Sequence, residues 1–168
     1  MAQGVVVLFD PEADAAVRAL WSRLDAAGLP PSRHSPPHLT FAVASEIPAR
    51  TRDALRAELR VLHIPSLFFG SLSTFANTEN VLMLSAVTDP ELLAVHSAVH
   101  DVLAGHVRNP SAYYLPGSWV PHCTLLQQVS VDDVVRGFGT LFPMEGFRAR
   151  AARVVVMDSV TGEVDPLT

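Results

Sequence analysis

The chain has 168 residues, 49% of them apolar, and a net charge of −5 from 12 basic and 17 acidic side chains. That balance excludes sustained binding of long duplex DNA, which needs many cations against phosphates. It leaves room for a compact anionic ligand held by a few of the arginines, which supply all the positive charge. The lone Cys123 excludes an internal disulfide, no apolar run reaches the ~20 residues of a membrane-spanning helix, and Met1-Ala2-Gln3-Gly4 has no basic leader region. A soluble, cytoplasmic chain folding as one domain over 1–168 is the expectation, with no membrane partner.

In chain order, Val5 to Phe9 is a short apolar run and reads as a buried strand. Asp10-Pro11 then starts a helix, with Ala13, Val17, Leu20, Trp21 and Leu24 on its apolar face and Gly28 as its end. Leu29 to Pro37 is a proline-rich loop, and a strand runs from about His38 to Ala44. A second helix follows Pro48, with Leu55, Leu59 and Leu62 inward and Arg52, Arg56 and Arg60 on a solvated face. Leu67–Phe75 and Val81–Val87, joined by the polar turn Asn77 to Asn80, suggest a hairpin. Asp89-Pro90-Glu91 repeats the helix start, and that helix runs to about Gly105. A second irregular loop, Arg108 to Pro121, leads to a strand from about His122 to Val129. A short helix, Val131 to Leu141, and a strand around Val154 to Met157 complete the chain.

The most informative feature is a tripeptide that occurs twice, His38-Leu39-Thr40 and His122-Cys123-Thr124, 84 residues apart. Each follows a proline and precedes an apolar residue, Phe41 or Leu125. Side chains alternate across a strand, so each histidine shares a face with its threonine. Leu39 and Cys123 then point into the layer behind. The element order around each copy repeats weakly. Two similar lobes related by a pseudo-two-fold axis would set the motifs on opposite walls of one cleft.

Paired imidazoles suit phosphoryl chemistry. In-line cleavage needs a base on one side of phosphorus and an acid on the other. Histidine serves either role near neutral pH. Thr40 and Thr124 would donate hydrogen bonds to the non-bridging oxygens as charge builds there. The sequence leaves open which histidine is base and which is acid.

Pro-Pro-His-Leu-Thr-Phe and Trp-Val-Pro-His-Cys-Thr-Leu resemble the paired signatures of the two-histidine (2H) phosphoesterases, including the RNA 2′,5′-ligase and 2′,3′-cyclic phosphodiesterase group. The resemblance implies an α+β, bilobal, duplicated fold. Two mainly antiparallel sheets would face a central cleft, with helices outside. It implies His38, His122, Thr40 and Thr124 as catalytic residues, no metal and no cofactor. It also implies a small nucleotide or RNA end as substrate and a 2′-phosphate as product. The same pair run backwards would ligate.

Other residues carry weaker signals. Tyr113, Tyr114 and Trp119 precede the second motif and are candidates for stacking a nucleobase. Arg33 and Arg108 lie in the loops before the motifs and are candidates for a terminal phosphate. Phe9, at the end of the first strand, is a candidate for the cleft edge, and His34 for its rim. Cys123 reads as a small buried residue rather than a nucleophile. His96 and His100 have zinc-compatible spacing but no evident third ligand. The leading reading is a metal-independent phosphoesterase for 2′,3′-cyclic phosphates or 2′,5′-linkages. The alternatives are a catalytically weak nucleotide- or RNA-end-binding module of the same fold, and an unrelated α+β interaction domain. Oligomeric state is open.

Overall fold

Both motifs lie on strands at the edges of sheets. The structure is a computed structural model and describes residues 2–31 and 35–168. Its order is β1 (Gln3–Phe9), α1 (Pro11–Ala26), β2 (His38–Ala44), α2 (Ala49–Leu59), β3 (Leu67–Ser73) and β4 (Leu82–Ala86). There follow α3 (Pro90–Leu103), a short 3-10 turn (Ala112–Tyr114), β5 (His122–Leu126), α4 (Val131–Leu141), β6 (Phe147–Ala149), β7 (Ala151–Asp158) and β8 (Val164–Pro166). Two four-stranded antiparallel sheets result, ordered β2-β1-β7-β8 and β5-β4-β3-β6. The α+β duplicated fold expected from the sequence is present. No described helix is long and apolar enough to cross a membrane.

The two orders correspond position by position. A motif strand forms one edge, the strand that precedes its helix pairs with it, and two further strands complete each sheet. The C-terminal segment contributes to both sheets. β6 pairs with β3 in the second sheet, and β7 pairs with β1 in the first. Asp10 helps fix the crossing between them: its backbone N–H donates to the Arg150 carbonyl, and its carboxylate accepts from the Arg150 N–H at 2.7 Å. Asp10 thus starts α1 by position but spends its side chain on the crossing rather than on the helix.

One hydrophobic core links the sheets and helices. Val5, Val7 and Phe9 of β1 meet Val17 and Leu24 of α1, Leu55 of α2 and Val99 of α3 in that cluster. Each such buried side chain contributes roughly 1.5–3 kcal/mol. The helices pair across the duplication, α1 with α4 and α2 with α3. Arg23 of α1 donates to the Thr140 carbonyl at 2.9 Å, and Arg136 of α4 donates to the Ala27 carbonyl at 3.0 Å. Gly137 lets α4 approach the second sheet, because a Cβ there would stand 2.7 Å from Leu126 Cδ1.

The structure corrects several expectations. The arginine row of α2 is not simply solvated. Arg52 and Arg56 clamp Asp165 of β8 at 3.0 and 2.6 Å, and Arg56 also donates to the Pro166 carbonyl at 3.0 Å. Long-range ion pairing of this kind leaves no trace in helical periodicity. β3 and β4 are shorter than the hairpin pattern indicates, and β5 ends at Leu126 rather than Val129. The short strands β6 and β8 were not expected, since three-residue strands give no readable alternation.

Candidate active site

β2 and β5 meet where the two sheets adjoin. His38 and Thr40 are half-buried while Leu39 is fully buried, and His122 and Thr124 alternate in the same way around Cys123. All four motif side chains line one cavity of about 170 Å³, with Trp21, Pro36, Tyr114 and Gln127 among its other walls. The cleft that the repeat anticipated therefore exists. Neither threonine hydroxyl is engaged by a described residue.

The two imidazoles are held alike. His38 Nδ1 lies 2.7 Å from the Pro36 carbonyl oxygen, and His122 Nδ1 lies 2.7 Å from the Val120 carbonyl oxygen. A carbonyl only accepts, so each Nδ1 carries the hydrogen and each Nε2 is left with a lone pair. Burial lowers both pKa values from the ordinary 6.5. At His38 the Pro36 carbonyl opposes that shift. At His122 the Val120 carbonyl opposes it, and repulsion from His38 reinforces it. His38 is thus near enough for its charge to bear on His122. Cys123 sits behind the motif with its thiol pushed up to about 12 by burial, which rules out a thiolate nucleophile at neutral pH.

Two tryptophans tie each motif to the opposite half. Trp119 Nε1 donates to the Thr40 carbonyl at 2.9 Å, and Trp21 Nε1 reaches the Thr124 carbonyl at 3.4 Å. Trp119 is itself stacked on His96, with centroids 3.9 Å apart and planes 5° apart. His96 is buried, and its Nε2–H is shared between the carbonyls of Tyr114 at 2.8 Å and Phe41 at 3.1 Å. His100 Nε2 lies 2.9 Å from the same Phe41 oxygen. These imidazoles therefore brace the open edge of β2. Among the described residues no group of three or more His, Cys, Asp or Glu side chains is placed to hold a metal ion.

The remaining candidates divide. Tyr114 lines the histidine cavity and also an adjoining pocket of about 310 Å³, which Tyr113, Trp119, Phe75, Glu79 and His122 share. Phe9 and Arg108 lie elsewhere. Phe9 faces the helix layer and packs edge-on against Phe69 at 5.5 Å, because its position in β1 has the parity of Val5 and Val7. Arg108 is exposed and pairs with Glu46 at 3.3 Å, while its backbone continues the outer edge of β2. Arg33 and His34 lie outside the described residues.

Sequence reasoning missed Trp21, Phe75, Glu79 and Gln127 as cleft residues. Trp21 was hidden by its fit to the apolar face of α1. Phe75 lies edge-on to His122 at 5.2 Å, beyond the end of β3, where alternation gives no guidance. Gln127 takes the place that strict alternation assigns to Leu126, which is instead fully buried. A polar residue directly after an apolar pair was the only available signal.

Residues 9–161 match the family model of the 2′-5′ RNA ligase superfamily. Among solved structures, E. coli LigT complexed with 3′-AMP is 16% identical with a TM-score of 0.60, over 99% of this chain and 94% of that one. A structure described as a phosphoesterase gives 16% identity and a TM-score of 0.61, over 99% and 95%. The MHV ns2 PDE domain gives 14% identity and a TM-score of 0.57, over 99% of both chains. At these identities the likenesses concern the fold. A comparison with curated protein sequences gives no match. The family model spans nearly the whole chain and both histidine motifs, and on that ground the chain belongs to the 2′-5′ RNA ligase superfamily, within the 2H phosphoesterases.

Proposed function

We propose that this protein is a phosphoesterase that opens 2′,3′-cyclic phosphates or cleaves 2′,5′-phosphodiester linkages of nucleotides or RNA ends. His38 and His122 act as its acid–base pair. The carrying observation is that both imidazoles line one cavity of about 170 Å³ with Nδ1 tied to a carbonyl, leaving both Nε2 atoms for proton transfer. In hydrolysis, one Nε2 takes a proton from water as its oxygen attacks phosphorus. The bond to the leaving ribose oxygen breaks, and the other imidazole, protonated beforehand, supplies that oxygen with a proton. Thr40 and Thr124 donate to the non-bridging oxygens as their charge rises. With a ribose hydroxyl in place of water, the same displacement joins that hydroxyl to the cyclic phosphate, and the ring oxygen again leaves and takes the proton. The reaction runs on the protein's own side chains without a metal or cofactor.

The test is turnover of nucleoside 2′,3′-cyclic phosphates with EDTA present, read by phosphorus NMR. The expected product is the 2′-phosphate. A 3′-phosphate overturns the regiochemistry alone, and undiminished turnover by His122→Ala overturns the mechanism. One observation favours a second reading, a nucleotide-end-binding module of low activity. Burial lowers both imidazole pKa values and so depletes the protonated acid at neutral pH. Binding of a 2′-nucleotide without turnover at any pH between 5 and 8 selects it.

A further inference from the structure

The apolar face of α4 is wider than the core covers. Gly137 and Leu141 are buried, and Val134 packs against the core beside them. Val131, Val135, Phe138 and Phe142 lie next to that set and face solvent, each between 40% and 65% exposed. At about 3.6 residues per turn, the two sets together span roughly 160° of the helix surface. The rings of Phe138 and Phe142 stack with centroids 5.5 Å apart and planes 12° apart. The Phe142 N–H donates to the Phe138 carbonyl at 2.9 Å, so Phe142 extends the stripe past the last helical residue. The stripe is preformed. The Ser130 hydroxyl accepts from the Asp133 N–H at 3.1 Å, and the Asp133 carboxylate accepts from the Ser130 N–H at 3.2 Å, which fixes the helix start.

The spacing of the exposed set says what covers it. Steps of four, three and four residues are those of the d and a positions of a heptad, the seam that a second helix fills. Two antiparallel copies put Val131 of one opposite Phe142 of the other and Val135 opposite Phe138. Every layer then sets a small side chain against a large one. A parallel pair would set valine on valine, phenylalanine on phenylalanine, and Asp132 beside its own copy. In the antiparallel pair Asp132 lies beside Gly139 of the other copy, which has no charge and no atom within 4 Å of where a Cβ would stand. Gly139 otherwise weakens an exposed helix interior with no packing gain. A lipid surface fits less well, because α4 has one cation, Arg136, against Asp132 and Asp133, on a chain of net charge −5. The four side chains expose on the order of 400 Å² on each copy, so a pair buries about 800 Å² from them alone and, with its rim, reaches the size of a weak specific interface.

We propose that this face joins two copies of the chain in a reversible, two-fold antiparallel dimer through α4. The helix packs on the core side of the second sheet, where a Cβ on Gly137 would meet Leu126, Leu82 and Leu24. His122 and Thr124 line the cleft on the other side. Both clefts stay open, and the dimer stands or falls independently of the phosphoesterase reading.

Sedimentation equilibrium of the full chain should give a dissociation constant on the order of 1–100 µM. Val135→Lys and Phe138→Glu, at exposed positions, should each weaken association about tenfold or more, with the far-UV circular dichroism of wild type. An equimolar mixture of the two variants reads the register. Antiparallel pairing sets the introduced lysine against the introduced glutamate in one layer and keeps Val135 against Phe138 in another. The mixture should therefore associate about tenfold more tightly than either variant alone. A wild-type monomer at about 1 mM, a constant unmoved by both substitutions, or a mixture no tighter than the single variants overturns the dimer. A wild-type monomer that instead floats with phosphatidylcholine vesicles assigns the face to lipid and overturns it as well.

Discussion

The two walls of the cleft are alike at the motif and unlike one strand away. On the first wall, Leu8 stands opposite His38 and Val6 opposite Thr40, with Arg153 and Val155 as the next neighbours. On the second, Ser85 stands opposite His122 and Met83 opposite Thr124, with Ser71 and Ser73 beyond them. The Ser73 and Ser85 hydroxyls are hydrogen-bonded to one another. The first wall is thus mainly apolar behind its motif and the second is rich in hydroxyls. The supports differ too. His96 and Trp119 form a buried stack behind the first motif, whereas Phe75 and His122 meet in a T-shaped contact on the second. What stays constant is the geometry that acid–base chemistry requires. What differs is the surface that the two sides of a substrate would touch.

The largest expected effect tests whether the walls act as one unit. His38→Ala and His122→Ala should each lower kcat on a susceptible phosphodiester by roughly 10²–10⁴-fold. The double variant should lose little more than the worse single one. Full multiplicativity in single-turnover rates would show two independent sites and break the comparison.

The second test concerns the stack behind the first wall. The His96 pKa is lowered to about 4, mainly by burial and then by repulsion from His100. The unfolded chain binds this proton near pH 6.5, so between about pH 6.5 and 4 the unfolded state holds more protons than the native state. Stability therefore falls as pH drops through that window, by at most about 3 kcal/mol from this residue. Urea titrations of wild type and His96→Gln should show a smaller pH slope in the variant. Equal slopes would remove the buried imidazole from the account.

The pH dependence of kcat/KM sharpens the pairing at the cleft. Both motif histidines are shifted down, so the form with one proton on the pair is most populated below pH 6.5. The profile should be a bell centred below that value, losing about tenfold per unit above its upper limb. An optimum at or above pH 7.5 would show that burial does not govern the free protein's imidazoles.

The smallest effect compares the two indoles. Trp119 makes the shorter bond to its threonine carbonyl and also stacks on His96, whereas Trp21 Nε1 sits at 3.4 Å. Trp119→Phe should cost about 1 kcal/mol more than Trp21→Phe, since it leaves a closely paired carbonyl without its donor. Denaturant midpoints at constant m-value measure this. The opposite order would make Trp21 the principal tie between the halves.

Sequence alone determined the two motif strands, the start of α1 and α3 at Asp-Pro, and the facing of His38, Thr40, His122 and Thr124 away from Leu39 and Cys123. These follow from local rules: proline's fixed φ and the two-residue period of a strand act within a few residues and need no partner. Tertiary structure alone decided the rest. It placed β2 beside β5 and routed β6 and β7 into different sheets. It drew Arg52 and Arg56 to Asp165, and it put Phe75, Glu79 and Gln127 at the cleft while turning Phe9 into the core. Each of these depends on contacts between residues distant in the chain, with energies set by packing and desolvation at the point of meeting. Residue order records which side chains are available for such a meeting, and only the folded chain decides which of them meet.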